Sequence, residues 1–378
     1  MSDLLAPLLE EFISRKGTDL YLTVGSQPMM RGEDEQMLAL HDVKLTEAII
    51  RELISGLIDE DAVDEFDSTL EYNMAVHWQH KARFRVNAFK QRQHSGLVIR
   101  RLSTDIPTVS DLQLPEAYAK LALKKRGLVL IVGATGSGKS TSMAAMINHR
   151  NENVQGHIVT IEDPVEFVHE HKQCIITQRD VGIDTYSYGI ALKNVLRQRP
   201  DVIVIGEIRD RDTMEHALKF SETGHLCIAT LHAGNTNQAL ERIVSFFPED
   251  KHQQVWLALS MNIRGIISQR LIVNRHDTRS LACEIMLSEG HIRNLLRDGK
   301  ITEIPGMIEK SQDMGMISFD QSLMQLVDSE DINSDIALTE ADNAANIKLH
   351  LTKHDMNLRM GKDAIIPALV TEKPKSDF

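Results

Sequence analysis

The sequence predicts an α/β protein in two parts: a small α+β domain, then a larger domain built on a mostly parallel sheet with a helical segment at its carboxyl end. Three observations carry this expectation. Short, nearly unbroken apolar runs at 128–132, 157–161, 202–205 and 226–231 alternate with helical stretches, which is how strands covered on both faces read. The first hundred residues instead set alternating strands among amphipathic helices. The stretch GATGSGKS at 133–140 stands between the first apolar run and a helical segment.

Taken in order, Leu4, Leu5, Leu8, Leu9 and Phe12 share one helical face, and Leu45, Ile49, Leu53, Ile54, Leu57 and Ile58 repeat the pattern. DLYLTV at 19–24 and ARFRVNAF at 82–89 alternate as half-buried strands, the second putting Arg83 and Arg85 on one face. A turn is expected at His94, Ser95 and Gly96, then a strand over 97–102 carrying Arg100 and Arg101. Pairing of these two strands would gather the arginines into a basic patch. These elements make a first domain over 1–105. Residues 106–115, with Pro107 and Pro115, read as a linker. Pro115 opens a helix that Gly127 closes. The second domain covers 116–328. At its end Ser318 and Gln321 have capping-box spacing, and Phe319, Leu323, Leu326 and Val327 form an apolar stripe. Residues 329–378 are polar and read as a flexible tail.

Composition narrows the function. With 378 residues the chain has room for two or three domains, and 42% apolar with 25% charged residues excludes wholesale disorder. Fifty-four acids against 42 bases give a net charge of −12, which disfavours a general nucleic-acid binder. Cys174, Cys227 and Cys283 are far apart and form no CxxC pair, so buried reduced thiols are expected rather than zinc or disulfides. The acidic start MSDLLAPLLEEF has no basic n-region. No apolar run approaches 18 residues, so no membrane insertion is expected and the chain reads as cytoplasmic.

GATGSGKS has the phosphate-loop pattern in the right context. Gly133, Gly136 and Gly138 let backbone N–H groups turn toward phosphate oxygens, and the next helix points its positive end at the same anion. Lys139 can reach the β- and γ-phosphates of ATP and Ser140 can ligate Mg²⁺. Thr135, Ser137 and Thr141 are supporting loop residues.

Ligands of such sheets sit at the carboxyl ends of strands. In DVIVIGE, Glu207 falls at that end and Asp201 at the start, roughly 20 Å apart. Glu207 is therefore the candidate base for the attacking water and, through water, a Mg²⁺ ligand. Asp201 is read as a turn acid. Glu162 and Asp163 end the strand HIVTIE and can act as Mg²⁺ or water ligands. In HLCIATLH, His232 is at the carboxyl end, where it could sense the γ-phosphate. His225 lies roughly 23 Å away and is read as structural.

Together these stretches resemble the type IV pilus retraction ATPases, the PilT/PilU branch of the secretion ATPases. SRKGTDLYLTVGSQPMMR, ARFRVNAF, TIEDPVEF, DVIVIGEIRD, TGHLCIATLHAGN, FFPED, ISQRL and ISFDQSL all share in the resemblance, which covers roughly residues 1–328. The resemblance implies a PAS-like first domain and a RecA-like ATPase domain. It implies a catalytic role for Glu207, an acidic box of Glu162, Asp163 and Glu166, and a histidine box carrying His225 and His232. It also implies that Arg85 and Arg100 reach the nucleotide and that the chain forms a ring hexamer at the inner-membrane pilus platform. TLHAGNTNQALERIVSFFPED and the carboxyl extension resemble the PilU branch, an accessory motor that works with a PilT paralogue. HIRNLLRDGK carries His291 where the family has alanine. No tetracysteine motif of the extension and type II secretion ATPases is present. The alternatives are an autonomous PilT-type retraction motor, a RecA-like nucleic-acid translocase, which the charge disfavours, and an ATP-binding scaffold subunit, which the intact Glu207 and Lys139 count against.

Overall fold

The computed structural model describes residues 5–32, 36–58, 60–79, 82–102 and 105–352. The chain begins with α1 (Leu5–Ser14), whose Leu5, Leu9 and Phe12 are buried along one face. β1 (Asp19–Thr23), β2 (Met29–Arg31) and β3 (Met37–Ala39) follow, then α2 (Glu47–Leu57) and α3 (Glu60–Thr69). Thr46 caps α2 by accepting from the Ile49 N–H. β4 (Glu71–Trp78), β5 (Ala82–Gln91) and β6 (His94–Leu102) complete a six-stranded antiparallel sheet in the order β3-β2-β1-β6-β5-β4. Its buried face packs Leu20, Leu22, Phe84, Val86, Leu97 and Ile99 against the helices.

The sequence pattern does not announce β2, β3, β4 or α3. The first two are three-residue strands, and α3 (EDAVDEFDST) has Phe66 as its one buried described residue. The expected turn at His94–Gly96 is also displaced. The hairpin reverses at Arg92 and Gln93, both at positive φ, and Gly96 pairs with Phe89 inside the ladder. Leu4 lies outside the described residues.

The second sheet follows. α4 (Glu116–Ala122) begins after Pro115 but stops well short of Gly127. Arg150 takes up its loose end by donating to the Ala122 carbonyl at 2.9 Å and the Lys124 carbonyl at 3.0 Å. Gly127 is instead the first residue of β7 (Gly127–Gly133). Next come α5 (Lys139–Asn153), β8 (Gly156–Glu162), β9 (Cys174–Asp180), α6 (Tyr188–Val195), β10 (Val202–Ile205), α7 (Arg211–Glu222) and β11 (Leu226–Leu231). α8 (Thr236–Ser245), α9 (His252–Asn262), β12 (Ile263–Val273) and β13 (Arg279–Leu287) complete the layer. The strand order is β13-β12-β7-β11-β10-β8-β9, parallel except for β13. Every residue of β7 is buried. Leu128, Leu130 and Val132 face one core, while Val129 and Ile131 face the other. At about 1.5–3 kcal/mol per buried aliphatic side chain, this strand anchors both helical layers.

α10 (His291–Arg297), α11 (Ile304–Glu309), α12 (Phe319–Asp328) and α13 (Ser334–Glu340) end the chain's named elements, and 344–352 is also helical. The capping box at Ser318 and Gln321 is present. The expectation of a loose tail from 329 does not hold through 352. Ile332, Ala337 and Ile347 are buried with Ile272, Ala282, Phe319 and Leu323. The segment is polar on average, but its few apolar residues fall on one side. Residues 353–378 lie outside the described residues. Among the described residues no helix is long and apolar enough to cross a membrane.

Candidate functional site

β7 delivers the glycine-rich loop to the carboxyl edge of the second sheet, and α5 starts inside it at Lys139. Gly138 sits at φ +82°, where a side chain would be strained. A cavity of about 420 Å³ lies over the loop, lined by Thr135, Gly136, Gly138, Lys139, Ser140 and Thr141. Gly133 remains in β7, and Ser137 faces a neighbouring cavity. The Lys139 ammonium donates to the carbonyls of Gly133 at 2.9 Å and Ala134 at 2.7 Å. Burial holds its pKa below the ordinary lysine value, against the opposing fields of Glu207 and Glu166.

The acids predicted at strand ends converge on the same cavity: Glu162, Asp163, Glu166 and Glu207 all line it. Glu162 closes β8, is 8% exposed, and accepts from the Thr160 hydroxyl at 2.6 Å. Burial pushes its carboxyl up to about 7, more than that hydrogen bond and one from Gln178 lower it.

Glu207 follows β10 by two residues. Its Oε1 lies 2.9 Å from His232 Nε2, and its Oε2 accepts from Arg209 Nε at 2.6 Å. Arg209 also donates to Asp163 Oδ2 at 3.2 Å, so one guanidinium ties the ends of β8 and β10 together. The peptide that carries Glu207 is equally constrained. Gly206 N–H donates to the Ile161 carbonyl at 2.8 Å, and the Gly206 carbonyl accepts from the Thr230 hydroxyl. The Tyr188 hydroxyl, at the start of α6, takes a hydrogen bond from the Glu207 backbone. A Cβ at position 206 would fall 2.9 Å from that hydroxyl and 3.0 Å from Glu162 Cα, so only glycine fits.

Sequence reasoning missed Arg209 and Tyr188. Arg209 stands two residues past Glu207, which is a usable signal. Tyr188 reaches the site from another element, which no local pattern shows. Asp201 and His225 lie at the opposite edge, as their strand positions imply. Asp201 accepts from the His157 N–H at 2.8 Å, and His225 Nδ1 is 3.1 Å from the Thr223 hydroxyl.

The predicted arginines are brought to one another but not into the cavity. Arg85 and Arg100 are direct cross-strand partners on β5 and β6. Arg100 Nε donates to Asp19 Oδ1 at 2.7 Å, which raises its pKa further. Their fields still reach the second sheet: burial raises the pKa of Asp180 and Arg85 opposes that rise, while Glu166 adds to the rise at Arg100. Arg101 pairs opposite Phe84 and so points to the other face.

Among the described residues no group of three or more His, Cys, Asp or Glu side chains forms a metal cage. The Ser140 hydroxyl and four carboxylates supply hard oxygen donors around the loop. This donor set suits Mg²⁺ completed by phosphate oxygens and water.

The family model described as type II/IV secretion system protein matches residues 4–306. The type IV pilus ATPase PilU of Pseudomonas aeruginosa is 47% identical over 343 residues, covering 90% of each chain. The type IV pilus retraction ATPase PilT of the same organism is 38% identical, covering 84% of this chain and 92% of its own. A crystal structure of the pilus retraction motor PilT with bound ADP aligns with a TM-score of 0.83 and 36% identity, covering 91% of this chain and 98% of that one.

Proposed function

The chain belongs to the type II/IV secretion system protein family, in its PilT/PilU branch, and on that premise we propose that it is a hexameric, Mg²⁺-dependent ATPase that powers type IV pilus retraction. The observation that carries the reading is the meeting of Glu207 with the phosphate loop. An acid at the end of β10, fixed by His232 and Arg209, lines the same cavity as Lys139 and Ser140.

In this reading the loop N–H groups, Gly133, Thr135, Gly136, Ser137, Gly138 and Thr141 hold the triphosphate of ATP, and Lys139 leaves its two carbonyls to meet the β- and γ-phosphates. Ser140 holds Mg²⁺, with Glu207 acting through water. The cation, when bound, neutralises charge on the phosphates. Glu207 accepts the proton of the attacking water. Glu162, Asp163 and His232 orient it. Arg85 and Arg100 swing in from the first domain (1–105) across the linker (106–115) and close the site of the ATPase domain (116–328). Closure and release around the ring drive pilin removal at the inner-membrane platform, on the cytoplasmic side.

The greater likeness to PilU supports an accessory motor that acts with a PilT paralogue. The test is genetic. The chain is expressed in piliated cells lacking every retraction ATPase, then again with PilT restored, and labelled pili are filmed. No retraction alone but stronger retraction with PilT is expected. Retraction by this chain alone would make it an autonomous motor. No effect in either background would overturn the pilus reading.

A further inference from the structure

β8 and β9 run parallel, and residues 163–173 cross from the end of one to the start of the other without a helix. Crossovers of this kind are usually helical, and a helix satisfies its own backbone. Here three side chains take its place. Asp180 Oδ2 accepts from the Val165 N–H at 3.3 Å. Gln178 Oε1 accepts from the His169 N–H at 2.8 Å, and Gln178 Nε2 donates to the Phe167 carbonyl at 2.8 Å. Asn151, fully buried on α5, donates to the Glu170 carbonyl at 2.8 Å and accepts from the Lys172 N–H at 3.2 Å.

The crossover is thus laced down along one side. Val165 and His169 are 1% and 7% exposed, while Glu166 between them is exposed and lines the phosphate cavity. Gln178 and Asp180 stand two residues apart on β9 and so share a face, in register with Thr160 and Glu162 on β8. Gln178 also hydrogen-bonds the Glu162 carboxyl. A glutamine amide offers two N–H groups and an acceptor, and here all are committed. One amide therefore touches both the strand end that carries Glu162 and the crossover that carries Glu166. Glu166 in turn acts on two cations from different domains, the Lys139 ammonium of the phosphate loop and the Arg100 guanidinium of β6.

We propose that Gln178 is a positioning residue for ATP turnover: it laces 165–169 to β9, so that Glu166 stands where it acts on both Lys139 and Arg100, and it steadies Glu162 at the end of β8. The inference rests on the ATP reading of the phosphate loop. Without this amide the His169 N–H and the Phe167 carbonyl lose their partner and must turn toward water. Glu166 then moves with them. The phosphate loop itself is not tied to the crossover by these bonds, so ground-state nucleotide is still held. Turnover needs the acids in place over the phosphates, and a small misplacement there is costly.

Gln178→Met keeps the length of the side chain and removes all three bonds. Gln178→Glu keeps the acceptor for His169 and loses both donations. In the full-length chain, ADP affinity is measured by calorimetry, turnover by phosphate release, and hydrogen exchange over 163–172 by mass spectrometry. Gln178→Met should quicken exchange over 165–169 by about tenfold or more while β7 keeps its protection. Its kcat should fall by about tenfold or more, with ADP affinity held within about threefold. Gln178→Glu should keep most of the protection at His169 and still lose kcat, because Glu162 loses its donor and meets a like charge. It also decides the matter should Gln178→Met fail to fold. Quickened exchange with unchanged kcat would overturn the positioning role, and unchanged exchange in Gln178→Met would overturn the lacing. ADP affinity falling as far as kcat would also overturn it, making Gln178 a general support of the site. Failure of the unaltered protein to bind ADP or to hydrolyse ATP would instead overturn the ATPase reading, and the exchange measurement would still report on the lacing.

Discussion

Glu207 Oε1 lies 2.9 Å from His232 Nε2, so the acid ending β10 is clasped by the side chain ending β11. Arg209 holds the other oxygen at 2.6 Å. This carboxylate is aimed by its neighbours and not by its own flexibility. Glu207→Gln keeps the shape and removes the base. Turnover should fall by about 10²–10⁴-fold, the usual worth of a general base. ATP affinity should stay within a few fold. Phosphate release and nucleotide titration check the two parts, and normal turnover would end the assignment.

Lys139 is already spent on two loop carbonyls, at 2.9 and 2.7 Å. Binding exchanges those neutral acceptors for phosphate oxygens, which are stronger partners of an ammonium. Charge-assisted bonds are worth about 1.5–3 kcal/mol, so Lys139→Ala should weaken ATP by about 10–100-fold. Titration of labelled nucleotide measures this directly.

The parallel sheet was legible because its strands are unbroken apolar runs bounded by helices. The strand-end rule then sorted Glu207 from Asp201 and His232 from His225, and the structure places all four at the edges that the rule implies. Contacts made across elements were not legible. Tyr188 reaches Glu207 from α6, and Arg209 reaches Asp163 across 46 residues. The edge strands β2 and β3 were too short to show a period. The packed tail was hidden because composition averages a segment, whereas Ile332, Ala337 and Ile347 bury only its inner side.

Arg85 and Arg100 stand opposite each other, but their substitutions should differ. Arg85 has no carboxylate in its immediate strand register, where it faces Ala75 and Arg100. Arg85→Ala should spare binding and folding and cut turnover by tenfold or more, as loss of a cation at the γ-phosphate does. Arg100→Ala strips the cationic partner from Asp19, a residue 7% exposed, and leaves it the Thr18 hydroxyl at 3.1 Å. An unpaired, nearly buried carboxylate costs about 1–3 kcal/mol. Arg100→Ala should therefore lower the melting temperature as well, and Asp19→Asn in the same chain should recover much of it without restoring turnover. Equal melting points for Arg85→Ala and Arg100→Ala would refute this separation.

Glu162 carries a pH signature. Its carboxyl is pushed from an ordinary 4.5 up to about 7, chiefly by burial. Between those values the folded chain holds a proton that the unfolded chain has released, so stability falls as pH rises through that window. A shift of this size corresponds to at most about 3 kcal/mol between pH 4.5 and 7.5. Glu162→Gln stays neutral throughout and still accepts from Thr160. Melting curves at intervals from pH 5 to 8 should show a shallower decline in Glu162→Gln than in the unaltered protein. Parallel curves would mean that Glu162 is ionised in the folded state at pH 5.

Arg270 links the carboxyl-terminal segment to the sheet. It projects from β12, stacks 4.0 Å from the centre of the Phe319 ring, donates to the Glu340 carbonyl at 2.8 Å and pairs with Asp342 at 2.7 Å. Asp320 adds bonds to the backbone N–H groups of Asp342 and Asn343. Each charged bond alone is modest because the site is partly open, and the cation–π contact adds roughly 0.5–2 kcal/mol. Arg270→Ala should thus cost about 1–3 kcal/mol, and the loss should be local. Hydrogen exchange over 334–352 should quicken while β7, buried throughout, keeps its protection. Arg270→Lys keeps the charge but loses the planar stack and the forked donation, so it should recover less than half of the protection. Uniform quickening across both sheets would show that the segment supports the whole fold, and no change would show that the apolar cluster alone holds it.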